Sequence, residues 1–250
     1  MNLKLTSKVF AIIPARKGSV GIKNKNIKLI AGHPLIAYSI AAARLAGIKK
    51  IFISTDSLKY KKIAESYGAS VPFLRPKNIS KKDSTDFDFI LHFVRWLKKE
   101  GIGFPKYLIH LRPTTPIRNP KIIKKAIKFI IRKKKSTSLR SGHISAETFM
   151  KWFYKSDKGY FERVHKSMTA ENIDKPRQKF RPVYIPNGYV DIYKPEFIIK
   201  KKKLLGSQML VFETPRCIEV DEIYDLNVIN SLKEKNKQKL LNFLNKIKRK

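Results

Sequence analysis

The chain has 250 residues, enough for one α/β domain with an insertion or for two small domains, and enough to bury a core without staples. Its 42% hydrophobic and 30% charged residues are globular rather than disordered composition, its longest apolar stretch (34–48) is too short for a bilayer and is broken by Arg44, and its one cysteine, Cys217, has no internal partner, which together exclude a membrane span, a disulfide scaffold and a zinc-finger array. The net charge of +36 attracts polyanions, but 42 of the 55 basic residues are dispersed lysines, so a solvated, lysine-biased surface is the first reading; anionic small-molecule substrates also fit, and no zinc-finger or RNA-recognition signature supports a nucleic-acid binder.

Residues 8–14 (KVFAIIP) are an apolar run ended by proline, which predicts a buried strand. The run contains Pro14 and stops at Arg16, a poor signal peptide, and a cytoplasmic location is expected. A loop rich in basic residues and glycine covers 16–33. Apolar side chains at helical spacing over 35–47 predict a helix stopped by Gly47. Residues 50–54 read as a strand. Asp56 or Ser57 then caps a helix to about Tyr67, closed by Gly68. A short strand is expected at 70–74. Asp83 or Ser84 caps a helix over about 86–99, 106–111 is a strand, and Asn119 with Pro120 starts another helix. Residues 136–140 form a further strand.

This alternation predicts a mostly parallel sheet covered by helices. Ligands of such sheets bind at the carboxyl ends of the strands, where the polar loops 15–26, 54–56 and 112–118 lie. The pattern is lost over 141–186, where Phe149, Trp152, Phe153, Tyr154, Tyr160 and Phe161 interleave with lysines, as in a hairpin-bearing insertion. Strands are expected at 187–193 and 209–212. From 223 a long helix presents Leu240, Phe243, Leu244 and Ile247 to the rest of the chain, so 1–250 reads as one domain.

The segment Ile13–Ile27 matches neither the dinucleotide-binding glycine pattern nor the P-loop, which weakens an NAD-dependent oxidoreductase reading. Its chemistry still suits phosphate: small residues let backbone N–H groups approach an anion, and Arg16 and Lys25 bracket them with positive charge. A flexible surface loop with ordinary lysines is the other reading of the same residues. Glu219 and Asp221 read either as two carboxylates aimed the same way from a strand or as a surface pair capping the last helix. His33, His92, His110, His143 and His165 show no ligand spacing and read as structural or exposed.

Ile-Pro-Ala-Arg-x-Gly-Ser-x-Gly-Ile-x-x-Lys-Asn-Ile, from Ile13, resembles the nucleotide loop of the acylneuraminate cytidylyltransferases, the CMP-sialic acid synthetases. The resemblance continues in order through Gly32-His33-Pro34-Leu35-Ile36, Ser54-Thr55-Asp56, Val71–Pro76, Leu111–Arg118, Arg177-Gln178, Asn187-Gly188 and Glu219-Val220-Asp221 with Asp225. It implies a Rossmann-like nucleotidyltransferase fold in which 141–186 reaches toward the partner in a homodimer. It also implies CMP transfer from CTP to the anomeric hydroxyl of a nonulosonic acid, with Mg²⁺.

Carried onto this chain, the resemblance makes Arg16, Lys25 and Asp221 catalytic. It puts nucleotide on Arg16, Gly18, Ser19, Lys25, Asn26 and Arg75, with Asp83 and Thr85 beside the base or capping a helix. It puts sugar on Arg112, Arg177, Gln178 and Asn187, and metal on Asp221 and Glu219. Val20 stands where the family has a triphosphate-facing lysine, and Lys23 and Asn24 stand where it has proline before Lys25. Val20 motivates a second reading, a non-catalytic nucleotide or sugar binder. Arg112 stands where many members have glutamine. Arginine only donates, so Arg112 suits a carboxylate or carbonyl and predicts an acceptor other than N-acetylneuraminate.

Overall fold

The computed structural model of the chain describes residues 8–19, 21–165 and 167–248; Val20 lies outside them. β1 (Val9–Pro14) is buried on both faces, and its side chains alternate between two apolar clusters. Val9, Ala11 and Ile13 face one layer of helices; Phe10 and Ile12 face the other. β4 (Lys50–Ser54) lies parallel to one side of β1 and β5 (Tyr107–His110) to the other. Beyond β5 come β9 (Tyr184–Tyr193), β6 (Ser138–Ile144) and β10 (Met209–Glu213), giving the six-stranded order β10-β6-β9-β5-β1-β4. β9 alone runs antiparallel to its neighbours. A two-residue ribbon, β2 (Leu29–Ile30) with β3 (His33–Pro34), sits ahead of the first helix.

That helix, α1 (Leu35–Leu45), is buried along almost its whole length, and its alanines Ala37, Ala41, Ala42 and Ala43 let it lie close to the sheet. α2 (Leu58–Ser66) and α4 (Pro120–Arg132) join it on that face. Ser57 caps α2 as expected, and Asn119 caps α4 with Pro120 in its first turn. The opposite face is covered by α3 (Asp86–Lys99), through Phe89, Phe93 and Leu97, and by Ile198. The mixed, mostly parallel α/β architecture is the one the alternation implies.

Several local expectations change. Residues 70–74 make no strand; Ser70 alone bridges Phe52, because Pro72 lacks a donor and Arg75 turns its N–H to the Thr55 carbonyl. Neither Asp83 nor Ser84 caps α3. Thr85 does, in a reciprocal capping box with Asp88. β6 continues through Ile144 and β9 opens at Tyr184, so the stretch outside the sheet is 145–183 rather than 141–186. It carries the hairpin of β7 (Phe153–Lys155) and β8 (Phe161–Arg163) and a single helical turn, α5 (Ala170–Ile173). α6 (Pro195–Lys201) follows β9 and supplies Ile198.

The expected long final helix is two: α7 (Ile223–Ser231) and α8 (Lys235–Lys248). The break is held by Lys237, whose ammonium donates to the carbonyls of Ile229, Asn230 and Leu232 at 2.8, 2.6 and 3.0 Å. Leu240 and Leu244 are fully buried, with Phe243 and Ile247 partly so, as the stripe requires. No helix among the described residues is long and apolar enough to cross a membrane.

Candidate functional site

The chain places β4 on one side of β1 and later β5 on the other. That reversal opens a crevice at the carboxyl ends of these strands. A cleft of about 580 Å³ lies there, reached by Pro14 at the end of β1 and Arg112 just past β5. This is the size of a small-molecule site.

The loop after β1 is pinned from three sides. Lys17 donates its N–H to Asp56 (2.8 Å), Asn26 donates its side-chain amide to the Arg16 carbonyl (3.0 Å), and Tyr60 reaches Asn24 (3.1 Å). Asn24 has φ 58° and leads into a one-turn helix that buries Lys25 and Asn26. Lys25 crosses to the C-terminal part of the chain, donating to the Val220 carbonyl at 2.8 Å and to Asp221 at 2.9 Å. Gly21 makes this approach possible: a Cβ there would lie 2.6 Å from the Asp221 carbonyl oxygen. Arg16 donates to the Lys81 carbonyl across the cleft.

Arg75 lines the cleft and is buried. It donates to the Ser54 hydroxyl and carbonyl, and its guanidinium lies 4.8 Å from the Phe89 ring centre. Burial pulls it down to about 10, with Asp56 opposing, so it remains a cation at neutral pH. Arg16, Lys25, Arg75 and Arg112 thus converge on one cleft, against the carboxylates Asp86, Asp221 and Glu222.

Arg112 is not free. It donates to Asp191 at 2.8 Å and also to Asp86. Asp191 projects from β9, 1% exposed, and also faces Arg140 at 3.5 Å. Burial works against the charge on Arg112, and the facing Asp191 and Asp86 more than reverse it, raising its pKa. Beneath it, fully buried Arg118 donates to the Tyr189 carbonyl (2.7 Å), the Ser39 hydroxyl (3.0 Å) and the Gly188 carbonyl (3.1 Å), fixing the 112–118 loop against β9.

Of the sequence-derived candidates, Arg16, Ser19, Lys25, Asn26, Arg75, Thr85, Arg112 and Asp221 line the cleft. Gly18 and Asp83 do not; a Cβ on Gly18 would touch nothing within 4 Å. Glu219 and Asp221 lie on an extended segment outside any strand, tied by the Val220 N–H to the Thr114 carbonyl at 2.7 Å. The helix cap there is made by Glu222 and Asp225, not by that pair. Half-buried Glu219 packs on Gly188; burial, then the nearby Asp221, holds its carboxyl above the usual range. Arg177 and Gln178 sit on the 145–183 stretch, away from the cleft, with Arg177 donating to the Ala146 carbonyl. Asn187 is buried and spent inside the fold, on Ser141 at 2.9 Å and Thr214 at 2.7 Å.

Sequence reasoning passed over Asp86 and Asp191. The signal for Asp191 was present: an acid inside the otherwise apolar strand around Val190 and Ile192 requires a buried partner.

A mostly parallel α/β sheet with a cationic crevice at its switch point is the architecture of a nucleotide-handling protein. The chain belongs to the cytidylyltransferase family, whose model matches residues 10–173. It is 28% identical over 244 residues to the N-acylneuraminate cytidylyltransferase of Escherichia coli O18:K1:H7, covering 94% of this chain and 55% of the relative. It is 36% identical over 121 residues to the CMP-N,N'-diacetyllegionaminic acid synthase of Legionella pneumophila, covering 48% of this chain and 52% of the relative. The fold matches a solved CMP:2-keto-3-deoxy-manno-octonic acid synthetase in complex with CTP, at TM-score 0.65 and 17% identity, covering 90% of this chain and 97% of that one. The chain spans about half the length of these two curated relatives.

Proposed function

We propose that the chain transfers CMP from CTP to the anomeric hydroxyl of a nonulosonic, sialic-acid-like sugar. The hydroxyl oxygen bonds to the α-phosphorus as the bond to the β-phosphate oxygen breaks, releasing pyrophosphate and a proton. The observation that carries this reading is the convergence of Arg16, Lys25 and Arg75 on one cleft at the strand ends, with Asp221 bonded to Lys25. Such a reaction asks little covalent work of the protein. Positioning and charge neutralisation carry the rate, and fixed cations on a pinned loop do both.

Arg16 and Lys25 neutralise the phosphates, while Gly21 keeps the loop close enough for backbone N–H groups to take part. Arg75, stacked on Phe89, closes the nucleotide side. Asp221 and Glu219 are the candidate holders of Mg²⁺. No cluster of three or more metal-ligating side chains occurs among the described residues. The pair nevertheless fits, because Mg²⁺ is usually taken by one or two carboxylates with phosphate and water oxygens. Burial, then the nearby Asp221, raises Glu219, and the second of these is a repulsion that a divalent cation relieves. When bound, the ion would neutralise phosphate charge.

A homodimer is part of the proposal. The hairpin in 145–183 exposes Phe153, Tyr154 and Tyr160, an aromatic surface of interface type. Arg177 and Gln178 on that stretch would then serve the partner's cleft. CTP dependence and the single thiol of Cys217 support a cytoplasmic location.

The decisive experiment measures pyrophosphate release with CTP, Mg²⁺ and a panel of nonulosonic acids, with UTP, ATP and GTP as controls. Release with CTP and one acid is expected. CTP binding with no release for any acid would leave a non-catalytic binder instead. Sedimentation at several concentrations tests the dimer.

A further inference from the structure

We propose that Asp86 is a displaceable counter-ion on Arg112, and that the carboxylate of the acidic acceptor takes its place on entering the cleft. The inference rests on the reading that the cleft accepts an acidic sugar.

Arg112 lines the cleft, yet its guanidinium is already bonded to two carboxylates. For Arg112 to hold a third, one must leave. The two are not alike. Asp191 is 1% exposed, lies in the middle of the sheet, and is shared with Arg140 at 3.5 Å and the Tyr193 hydroxyl at 3.3 Å. Withdrawing it would take from half-buried Arg140 its facing carboxylate and leave Arg112 with Asp86 alone. Asp86 is 35% exposed, lines the cleft, and sits on the first turn of α3.

Released from Arg112, Asp86 keeps a favourable place. The N-terminal end of a helix suits a carboxylate, and solvent reaches it. Asp191 meanwhile keeps the guanidinium in position from below. Asp191 is thus a positioning residue, and Asp86 sets how much of Arg112 an incoming carboxylate finds available. The apparent affinity for that carboxylate is reduced by the fraction of molecules in which Asp86 occupies Arg112. An acceptor without a carboxylate gains nothing from the exchange, so the pair also selects for acidic sugars.

The test uses the full chain and its Asp86→Asn and Asp86→Ser variants. Serine is included because an asparagine oxygen can still accept from Arg112. Calorimetric titrations with CTP present use three acids, N-acetylneuraminate, N,N'-diacetyllegionaminate and 2-keto-3-deoxy-manno-octonate, each beside its uncharged methyl ester. At least one acid is expected to bind the serine variant roughly fivefold or more tightly than the wild type, while its ester is unchanged. Equal tightening of acid and ester, unchanged or weaker acid binding in both variants, or no acid binding to any of the three proteins overturns the exchange. The nucleotide reading is judged separately, by CTP titration of the wild type: CTP binding with any of those outcomes leaves it standing, and its absence removes it.

Discussion

Lys25 and Asp221 stand 196 positions apart in the chain and 2.9 Å apart in the fold, and the two partners are unequally buried, with side chains 11% and 72% exposed. The bond joins the loop after β1 to the segment before α7, so one contact closes the cleft between the two ends of the chain.

The inequality predicts separable effects. Lys25→Met leaves the Val220 carbonyl, which also accepts a hydrogen bond from Lys25, without that partner in the interior. A loss of about 1–3 kcal/mol is expected, with loss of CTP binding. Asp221→Asn removes the exposed charge of the pair but leaves Lys25 the Val220 carbonyl and an amide oxygen to donate to, so it is expected to cost less than about 1 kcal/mol while abolishing most pyrophosphate release. Urea unfolding of the two variants beside the release assay checks this. Equal destabilisation by both would refute the asymmetry.

Three glycines near the cleft should respond differently to alanine. Gly18→Ala meets no atom within 4 Å and should leave stability and CTP affinity close to wild type. Gly21→Ala drives a Cβ to 2.6 Å from the Asp221 carbonyl and must push the loop off that segment. Gly188→Ala suffers twice, through its φ of +56° and through a Cβ crowded at 3.1 Å by Glu219 and 3.2 Å by Thr115. Melting temperatures with and without CTP order the three: Gly18→Ala unaffected, Gly21→Ala chiefly losing the CTP-induced rise, Gly188→Ala lowered in both. A large effect at Gly18 would contradict the ordering.

How far the sequence carries follows from which interactions are local. β1 is legible because a both-faces-buried strand is an unbroken apolar run. Ser57, Gly68 and Asn119-Pro120 are legible because caps act within a few residues. Thr85 was displaced to Asp83 or Ser84 because four polar residues in a row offer equivalent caps, and only the Asp88 return bond chooses among them. The antiparallel entry of β9 between β5 and β6 has no local signature at all. In the cleft, Arg16 and Lys25 are legible as cations bracketing a loop of small residues, and Arg75 only through the resemblance. That Arg112 is held by Asp86 and Asp191 is not legible, since those acids are 26 and 79 residues from it and meet it only through the sheet.

Arg112 and Asp191 form a partly buried pair in which each keeps a second partner, Asp86 for Arg112 and Arg140 for Asp191. Each of Arg112→Gln and Asp191→Asn is expected to cost about 1–3 kcal/mol. The double variant should be less destabilised than the sum, because the contact the two share is lost only once. Arg112→Gln should also shift preference among acceptor sugars while leaving CTP affinity nearly unchanged. A double-mutant cycle by urea unfolding, with CTP titration of each protein, gives the coupling. Simple additivity would show that the 2.8 Å contact carries no mutual dependence.

His110 gives the chain a pH dependence of known sign. It is fully buried in β5, 4.0 Å from Asp86 and 3.4 Å from the Tyr193 hydroxyl, with the Phe89 ring against it. Burial, then the nearby Arg112, holds its pKa well below the usual histidine value, so it stays neutral in the folded chain. In the unfolded chain it takes up a proton near pH 6.5. Between the two values the unfolded state binds more protons, so stability falls as the solution is acidified below about 6.5, by at most about 1.4 kcal/mol per pH unit from this group. Half-buried Glu219, whose pKa is raised, works in the opposite direction: above the unfolded glutamate value of about 4.3 its ionisation favours unfolding until its folded value is passed. The two slopes overlap in mildly acidic solution and can mask each other, so each is read by difference. Urea unfolding at pH 5, 6 and 7 should show His110→Leu losing less stability on acidification than the wild type, and Glu219→Gln losing more. Parallel curves for wild type and His110→Leu would mean that the buried imidazole is protonated equally in both states.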